Sequence, residues 1–380
     1  MQIETQESSV GIVHPQHLDL ALSPEGLELE SGARLPAVTV EYEVYGEISP
    51  TKDNVILILH AFSGDAHAAG VHHPDDQHAG WWDDMIGPGK AFDTRRFAVI
   101  CSNVLGGCRG TTGPGSTNPA TGEPWALDFP VVTIGDMVEV QKRLLDALEI
   151  SRLYAVAGGS MGGMQALEWA VRFPAVVERT LVLASTSRLN SQGIAFNAVG
   201  RNAIMSDPAW NHGNYYAGPH PAQGLAIARM VGHITYLSSE SMRQKFGRRF
   251  QDEAGVRLAF DDQFAVESYL SYQGEKFVDR FDANSYIYLT KAMDFYDLAG
   301  AWGGMEAAMS RVNSAFLVLS YSSDWLFPTE QSKEIVYALA RAGKDVSFNE
   351  IQSPYGHDSF LLEASLQSEL ITAFLTGKKR

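Results

Sequence analysis

The segment Gly158-Gly159-Ser160-Met161-Gly162 carries the strongest chemical signal in the sequence. It has the form G-x-S-x-G and stands between a short apolar run, LYAVA, and a stretch with helical periodicity. A sharp strand-to-helix turn of this kind exposes the serine hydroxyl at the carboxyl edge of a sheet, where the Met161 N–H can stabilise an oxyanion. Glycine-rich turns without any chemistry share the bare pattern, but the flanking strand and helix favour Ser160 as a nucleophile.

A nucleophilic serine needs a histidine as its base and a carboxylate that orients the base. In this kind of site each follows a late strand, and the carboxylate precedes the histidine in the chain. Asp324 follows the apolar run AFLVLS, and His357, the last histidine of the chain, follows VSFNEI. Asp324 could instead cap a helix or lie in a solvated turn, and Glu330 is the nearest competing carboxylate. Order and placement predict a triad of Ser160, Asp324 and His357.

A second oxyanion donor is expected in the loop after an early strand. The segment HAFSG at residues 60–64 follows the apolar run NVILIL and has the His-small-x form of such loops. We predict that the backbone N–H of Phe62 is this donor. The side chain of His60 is expected to brace the loop rather than to take part in the chemistry.

Histidines are dense in the region that follows this loop, which raises the question of a metal site. The residues are His60, His67, His72, His73 and His78. Their spacing matches no compact ligand pattern, and HAFSGDAH lacks the glutamate of H-E-x-x-H. The spacing therefore predicts no metal site.

The elements that must position these residues alternate between strands and helices. Apolar runs typical of strands covered on both faces occur at residues 55–59, 97–101, 153–157, 181–184, 316–319 and 346–351. Helical periodicity occurs at residues 135–150, 162–173 and 361–375. Residues 38–45 alternate like a partly exposed antiparallel strand. This order predicts an α/β fold with a mostly parallel sheet and helices on both faces.

The middle of the chain interrupts that alternation. Between residues 187 and 297 no convincing buried strand appears, while helical patterns and aromatic residues are frequent. We interpret this segment as a helical lid inserted into a core made of residues 1–186 and 298–380. Such an insertion can cover an active site. The alternative is a set of packing helices without catalytic contacts.

Composition excludes several classes of function. The 380 residues include 45 acidic and 29 basic side chains, a formal charge of −16, which argues against nucleic-acid binding. The two cysteines, Cys101 and Cys108, cannot form a disulfide framework and are expected to be buried thiols. No apolar run is long enough to span a membrane, and the N-terminus lacks the features of a signal peptide. We expect a cytoplasmic protein with no membrane partner.

Several longer segments make the sequence resemble one known family. They are HAFSGDAHAAG, GWWDDMIGPGK, GGSMGGMQALEWA, ARMVGHITYLS, FDANSYIYLTKAMD, SDWLFP and GHDSFLL. Together they resemble the homoserine O-acyltransferases of the α/β-hydrolase superfamily from about residue 10 to the C-terminus. The resemblance implies an α/β-hydrolase fold and acyl transfer from acetyl-CoA, as co-substrate, to the hydroxyl of L-homoserine. It also implies a role in methionine biosynthesis, no bound cofactor and, as is usual in the family, a homodimer.

The resemblance also assigns residues. Ser160, Asp324 and His357 fall on the family's triad positions. Arg229 falls on the position that binds the homoserine carboxylate, and Asp358 on the position that contacts the substrate ammonium. A guanidinium grips a carboxylate with two hydrogen bonds, and a carboxylate is a natural partner for an ammonium. From the residues alone, Arg229 could be a structural ion-pair residue and Asp358 a helix cap. Tyr236 is a further candidate for the pocket.

One position bears on the acyl donor. Relatives that use succinyl-CoA tend to carry arginine two residues after the triad aspartate, where this chain has Leu326. Because a leucine offers no partner for the succinyl carboxylate, acetyl-CoA is the favoured donor. The alternatives are a homoserine O-succinyltransferase, a carboxylic esterase with the same triad, and a catalytically silent binding protein.

Overall fold

The computed structural model describes residues 8–251 and 260–377 and has one eight-stranded sheet at its centre. In chain order the strands are β1 Gln16–Asp19, β2 Thr39–Tyr45, β3 Val55–Leu59, β4 Ala98–Ser102, β5 Ala155–Gly159, β6 Arg179–Leu183, β7 Ala315–Tyr321 and β8 Val346–Ile351. Across the sheet their order is β1-β2-β4-β3-β5-β6-β7-β8. Two small two-stranded ladders lie outside it, formed by Leu27–Glu28 with Arg34–Leu35 and by Ile86–Gly87 with Phe92–Asp93.

Six neighbouring strands of the sheet, from β4 to β8 in the order above, run parallel. At one edge β2 runs antiparallel to β4, and β1 runs antiparallel to β2. Every residue of β3 is buried, because helices cover both faces of the sheet and an apolar run such as VILIL satisfies both. Leu57 pairs in register with Ile100 of β4 on one side and Val156 of β5 on the other. The mostly parallel α/β sheet predicted from the sequence is confirmed, as is the antiparallel strand near residues 38–45.

The helices of the core follow the strands that they cover. They are α1 Ile134–Ala147, α2 Met161–Arg172, α10 Thr329–Arg341, α11 Ser359–Leu362 and α12 Ala364–Thr376. Thr133 caps α1 by accepting the Asp136 N–H while the Asp136 carboxylate accepts the Thr133 N–H. Short 3₁₀ turns occur at Asp83–Met85, Ala126–Asp128, Pro208–Gly213 and Gly356–Asp358.

Between β6 and β7 the described chain is helical. The helices are α3 Ser191–Ser206, α4 Ala222–Tyr236, α5 Ser239–Lys245, α6 Ala265–Val278, α7 Ala283–Phe295, α8 Leu298–Trp302 and α9 Met305–Arg311. Arg188 and Asp297 form an antiparallel bridge, so the chain leaves and re-enters the core side by side. A buried ion pair between Arg201 of α3 and Asp294 of α7, with 2.6 Å between Nη2 and Oδ2, holds two of these helices together.

One expectation about the elements needs correction, and one strand was not predicted. The predicted closing helix at residues 361–375 is two helices, because the backbone bends out of helical geometry at Glu363 (φ −87°, ψ 50°). Beyond this bend Gln367 is buried, and its Oε1 accepts a hydrogen bond from the Tyr321 hydroxyl. Strand β1 carries too little apolar alternation to be found from the sequence, and only its pairing with β2 defines it.

Within the described ranges no helix combines the length and the apolar character needed to cross a membrane. Cys101 is buried in β4 and Cys108 is partly buried, and both are free thiols. Burial raises the pKa of both thiols, which keeps them protonated at neutral pH.

Candidate active site

The turn between β5 and α2 places Ser160 in an uncommon backbone conformation, with φ 58° and ψ −123°. The turn is tight because Gly162 lies directly against the end of β3, where an added Cβ would come within 2.0 Å of the Leu59 carbonyl oxygen. Only glycine fits at that position. The Ser160 N–H donates to the Leu183 carbonyl, and Ser185 Oγ donates to the Ser160 carbonyl, so hydrogen bonds from β6 and its loop hold the turn.

The structure brings the three residues of the predicted triad together, although 197 positions separate the serine from the histidine. Ser160 Oγ lies 2.9 Å from His357 Nε2, and His357 Nδ1 lies 2.7 Å from Asp324 Oδ2. Asp324 Oδ1 accepts the backbone N–H groups of Leu326 and Phe327 at 3.0 and 2.9 Å. The carboxylate is therefore fixed by the loop after β7, and it fixes the imidazole in turn.

The turn that carries His357 packs against the end of α4. Gly356 has φ 78°, and a Cβ there would lie 2.6 Å from the Tyr236 carbonyl oxygen. Burial lowers the pKa of the His357 imidazole, but the charge and hydrogen bond of Asp324, aided by the charge of Asp358, raise that pKa by more. The net pKa lies above the ordinary 6.5, so the environment favours the imidazolium that forms when Ser160 gives up its proton.

The two residues predicted to supply oxyanion donors are both near the serine: Met161 follows it in the chain, and Phe62 lines the same cavity. Met161 is the first residue of α2, and its N–H belongs to the positive end of that helix. Phe62 follows β3, and its ring packs edge-on to Tyr286 with centroids 5.0 Å apart. The imidazole of His60 is buried and hydrogen-bonded to the Ala61 carbonyl at 2.8 Å and the Val104 N–H at 3.1 Å, which ties the Phe62 loop to the loop after β4.

A cavity of about 360 Å³ reaches Asp358, the residue after His357, and is called the polar cavity for the charged side chains in its wall. Arg229 and Tyr236 lie one heptad apart on α4, so both face this space. Asp358 reaches it from the 3₁₀ turn that carries the histidine, and Arg280 reaches it from the end of α6. Asp65, from the loop after β3, also lines the cavity, which thus offers two guanidinium groups and two carboxylates within the same space.

Arg229 forms no salt bridge within 4 Å to an acidic side chain among the described residues, and it contacts a ring and a hydroxyl instead. Its guanidinium lies 4.5 Å from the centre of the Phe277 ring, and Nη1 donates to Ser63 Oγ at 3.2 Å. Its Nε is buried without a hydrogen-bond partner among the described residues. Burial raises the pKa of Asp358 to about 6, and this carboxyl is therefore mostly ionised at neutral pH.

A second, narrower cavity of about 50 Å³ reaches Ser160 from the other side of Tyr236. Its walls are mainly apolar and include Phe62, Leu189, Phe196, Met293 and Leu326. The lining residues in the described chain contain no lysine or arginine. Tyr236 belongs to the walls of both cavities, and the centre of its ring lies 6.2 Å from that of the His357 ring. The apolar channel, which Ser160 lines, and the polar cavity therefore meet at Tyr236, close to the triad.

Known proteins with similar sequences and structures identify the family. The model of the α/β-hydrolase fold matches residues 54–364. A homoserine O-acetyltransferase from Desulfotalea psychrophila is 53% identical over 373 residues, which cover 97% of this chain and 96% of that protein. The chain belongs to the homoserine O-acetyltransferase family of the α/β-hydrolase fold. The family resemblance and the fold class that the sequence predicts are confirmed.

Other members and neighbours of this family differ in the activity that their names give. A homoserine O-succinyltransferase from Magnetococcus marinus is 52% identical over 382 residues, 99% of this chain and 97% of that protein. The crystal structure of homoserine O-acetyltransferase from Bacillus anthracis has a TM-score of 0.90 at 32% identity and covers 97% of this chain and 98% of its own. Esterase E22 has a TM-score of 0.88, also at 32% identity, over 96% and 100% of the two chains.

The helical insertion brings two further ionisable side chains to the polar cavity, Arg280 and His233, and neither was predicted from the sequence. Arg280 is largely buried, and its Nη1 donates to the Ser63 carbonyl at 3.1 Å. His233 lies one turn after Arg229 on α4, and burial together with the charge of that arginine lowers its pKa to about 3, so it is neutral. The i, i+4, i+7 spacing of Arg229, His233 and Tyr236 was the available signal, because it places all three on one helix face.

The triad predicts a specific pH dependence for covalent labelling of Ser160 by a fluorophosphonate. The reaction needs neutral His357 as base, so its rate should fall as pH drops through the raised pKa, with a midpoint above 6.5. Asp324→Asn should slow labelling roughly 10³-fold or more and lower the midpoint. Labelling is measured by intact-protein mass spectrometry.

Glu330→Gln is the matched control, since Glu330 is the competing carboxylate in the sequence and lies exposed in the first turn of α10. It should label at the wild-type rate. Equal slowing in both variants, or an unchanged midpoint in Asp324→Asn, would contradict the assignment of Asp324.

Proposed function

We propose that this protein is a homoserine O-acetyltransferase that moves an acetyl group from acetyl-CoA to the side-chain hydroxyl of L-homoserine through an acetyl-serine intermediate. The observation that carries this proposal is the pairing of Arg229 and Asp358, the residue after His357, in the polar cavity. An amino-acid zwitterion has a carboxylate and an ammonium, and these two side chains match both. A substrate held at both groups directs its remaining hydroxyl towards the catalytic base.

In the first half-reaction Ser160 attacks the thioester. His357 Nε2 takes the proton from Ser160 Oγ, and Oγ forms a bond to the acetyl carbonyl carbon. The N–H groups of Phe62 and Met161 stabilise the negative oxygen of the tetrahedral intermediate. The carbon–sulfur bond then breaks, His357 returns its proton to the coenzyme A thiolate, and the thiol leaves.

In the second half-reaction homoserine takes the place of coenzyme A. Arg229 binds its carboxylate and Asp358 its ammonium, so that the hydroxyl lies near His357. His357 accepts the hydroxyl proton while the substrate oxygen attacks the acetyl-serine carbonyl. The bond to Ser160 Oγ breaks, the serine recovers its proton from His357, and O-acetylhomoserine leaves. Two products released in two steps give ping-pong kinetics.

Nothing in the triad itself distinguishes transfer from hydrolysis, and esterase E22 has a similar fold. Selectivity for the amino-acid alcohol over water must come from positioning, which can lower a barrier by about 7–11 kcal/mol in favourable cases. The helical insertion supplies Arg229, Tyr236 and Arg280 to the cavity, so it both positions the acceptor and limits the water around the acetyl-serine.

The narrow apolar channel supports acetyl-CoA as the donor. Leu326 is part of its wall, and the Leu326 N–H donates to the triad aspartate, so this side chain sits next to the reacting centre. A succinyl group would bring a carboxylate into this channel, where no cationic side chain lines the described wall. Burying that charge without a partner is unfavourable, whereas an acetyl methyl group is not.

The proposed reaction has consequences for cofactor need, pathway and compartment. The triad and backbone donors supply all the acid–base chemistry, so the reaction needs no bound cofactor, and its product serves methionine biosynthesis. The free thiols of Cys101 and Cys108 are compatible with the reducing cytoplasm.

Apolar side chains exposed on α3 and α4 support a homodimer that packs through the insertion: Ile194, Val199, Met205, Ile227 and Ile234.

Arg229→Ala tests the proposed function because it separates the two half-reactions. Loss of two charge-assisted hydrogen bonds to the substrate carboxylate should lower kcat/KM for homoserine roughly 10²-fold or more. Acetylation of Ser160 by acetyl-CoA should change far less. Single-turnover release of free thiol measures the first step, and formation of O-acetylhomoserine measures the second.

Arg243→Ala is the control, since Arg243 is exposed on α5 and paired with Glu240. It should leave both steps unchanged. Equal losses in both half-reactions of Arg229→Ala would contradict its role in acceptor binding. Acetate release that does not depend on homoserine would identify the protein as an esterase instead.

Leu326→Arg tests the basis of donor choice. A guanidinium at this position can pair with the succinyl carboxylate, so the ratio of kcat/KM for succinyl-CoA to that for acetyl-CoA should rise about tenfold or more. Leu326→Met keeps an apolar side chain and should retain the preference for acetyl-CoA. A wild-type preference for succinyl-CoA would show that another cation, such as Arg280, receives that carboxylate.

A further inference from the structure

Outside the active site, one buried carboxylate lies between two imidazoles. Glu43 belongs to β2 and is 1% exposed, whereas His67 and His72 lie in the long segment that follows β3. The distance from Glu43 Oε2 to His67 Nδ1 is 3.0 Å, and that from Glu43 Oε1 to His72 Nε2 is 2.7 Å. One potential ligand atom from each residue lies within 4.8 Å of the other two.

The surrounding residues hold this cluster in place. Tyr45 lies two residues further along β2. Its hydroxyl donates a hydrogen bond to Glu43 Oε2 at 2.7 Å and accepts one from the Ala68 N–H at 2.6 Å. The rings of His67 and His72 are in contact, with centroids 3.9 Å apart and planes tilted by 42°, and each presents a nitrogen to the same carboxylate. Asp76 accepts the backbone N–H of His72 and fixes the turn. The arrangement is therefore built by several separate contacts.

Two imidazoles and one carboxylate form a ligand set that suits zinc and related divalent transition ions. Ligand atoms of a tetrahedral zinc ion, with bonds of about 2.1 Å, lie about 3.4 Å apart. The hydrogen-bond separations of 3.0 and 2.7 Å are shorter than this by about 0.4 and 0.7 Å. Outward rotation of both rings would therefore be needed to admit an ion. The Tyr45 hydroxyl would then orient the ligating carboxylate from behind, as outer hydrogen bonds do at metal sites.

We propose that Glu43, His67 and His72 bind one divalent transition ion, with Zn²⁺ as the best fit, and that this ion fastens the segment after β3 to β2. The ion can enter from solvent because His72 is 37% exposed at its side chain. The same segment begins at the Phe62 loop, and His67 also lines the polar cavity. A bound ion therefore supports the wall of the active site without contacting the triad.

Histidine spacing alone failed to reveal this site because the carboxylate comes from a strand 24 residues before His67. The competing interpretation is an ordinary ionic cluster in which protonated imidazoles neutralise Glu43. Burial lowers the pKa of His67, but the hydrogen bond and charge of Glu43 raise it by more. Both interpretations use the same contacts, so direct measurement of metal binding separates them.

The test uses the full-length chain without an affinity tag, after removal of metals with a chelator. Isothermal titration with Zn²⁺ should give one ion per chain with micromolar or tighter affinity. Co²⁺ in place of Zn²⁺ should give the strong visible absorption of a four-coordinate ion. His72→Ala should weaken Zn²⁺ binding at least tenfold, and His67→Ala, as a second ligand variant, should do the same.

His73→Ala is the matched control, because His73 is the exposed neighbour of His72 and lies outside the cluster. It should bind Zn²⁺ like the wild type, and circular dichroism should show that all three variants are folded. Substoichiometric binding by the wild type, or undiminished binding by both ligand variants, would overturn the proposal. Neither readout depends on acyl transfer, so failure of this proposal and failure of the proposed function are distinguishable.

Discussion

The backbone of Ser160 is held in a conformation that non-glycine residues rarely adopt, and the rest of the site depends on this constraint. Such a conformation costs about 1–3 kcal/mol and persists only where surrounding contacts enforce it. Here the contacts are Gly162 against the end of β3 and hydrogen bonds from Leu183 and Ser185. They project the hydroxyl from the sheet edge to 2.9 Å from His357 Nε2. If the turn relaxed, both the base and the oxyanion donors would lose their common target.

The core and the helical insertion contribute different parts of the chemistry. The core supplies the nucleophile, base and carboxylate from loops at the ends of parallel strands, which meet at one edge of the sheet. The insertion supplies Arg229, Tyr236 and Arg280, which determine what reaches that edge. Tyr236 lies in the walls of both the apolar channel and the polar cavity. In the proposed reaction, donor and acceptor would reach the same serine from these two spaces, and this separation would favour transfer to an alcohol over transfer to water.

The sequence predicted those features that local pattern and chain order determine. Apolar runs located the parallel strands, and the order of Ser160, Asp324 and His357 after three of them was enough to select the triad. Features that depend on contacts between distant segments could not be found in this way. Arg280 enters the polar cavity because of how α6 packs, and Glu43 meets His67 only across the fold. The bend at Glu363 occurs together with the burial of Gln367 against Tyr321. Arg229 and Asp358 were assigned by family resemblance, and their common cavity emerged only from the structure.

The central claim is that Ser160 carries the acetyl group between the two substrates. Rapid mixing of the protein with acetyl-CoA, followed by intact-protein mass spectrometry, tests this claim most directly. We expect a protein species heavier by one acetyl group, with that group on Ser160. Addition of homoserine should remove this species and yield O-acetylhomoserine. If no such species forms at any time, and Ser160→Ala turns over at the wild-type rate, the account is contradicted.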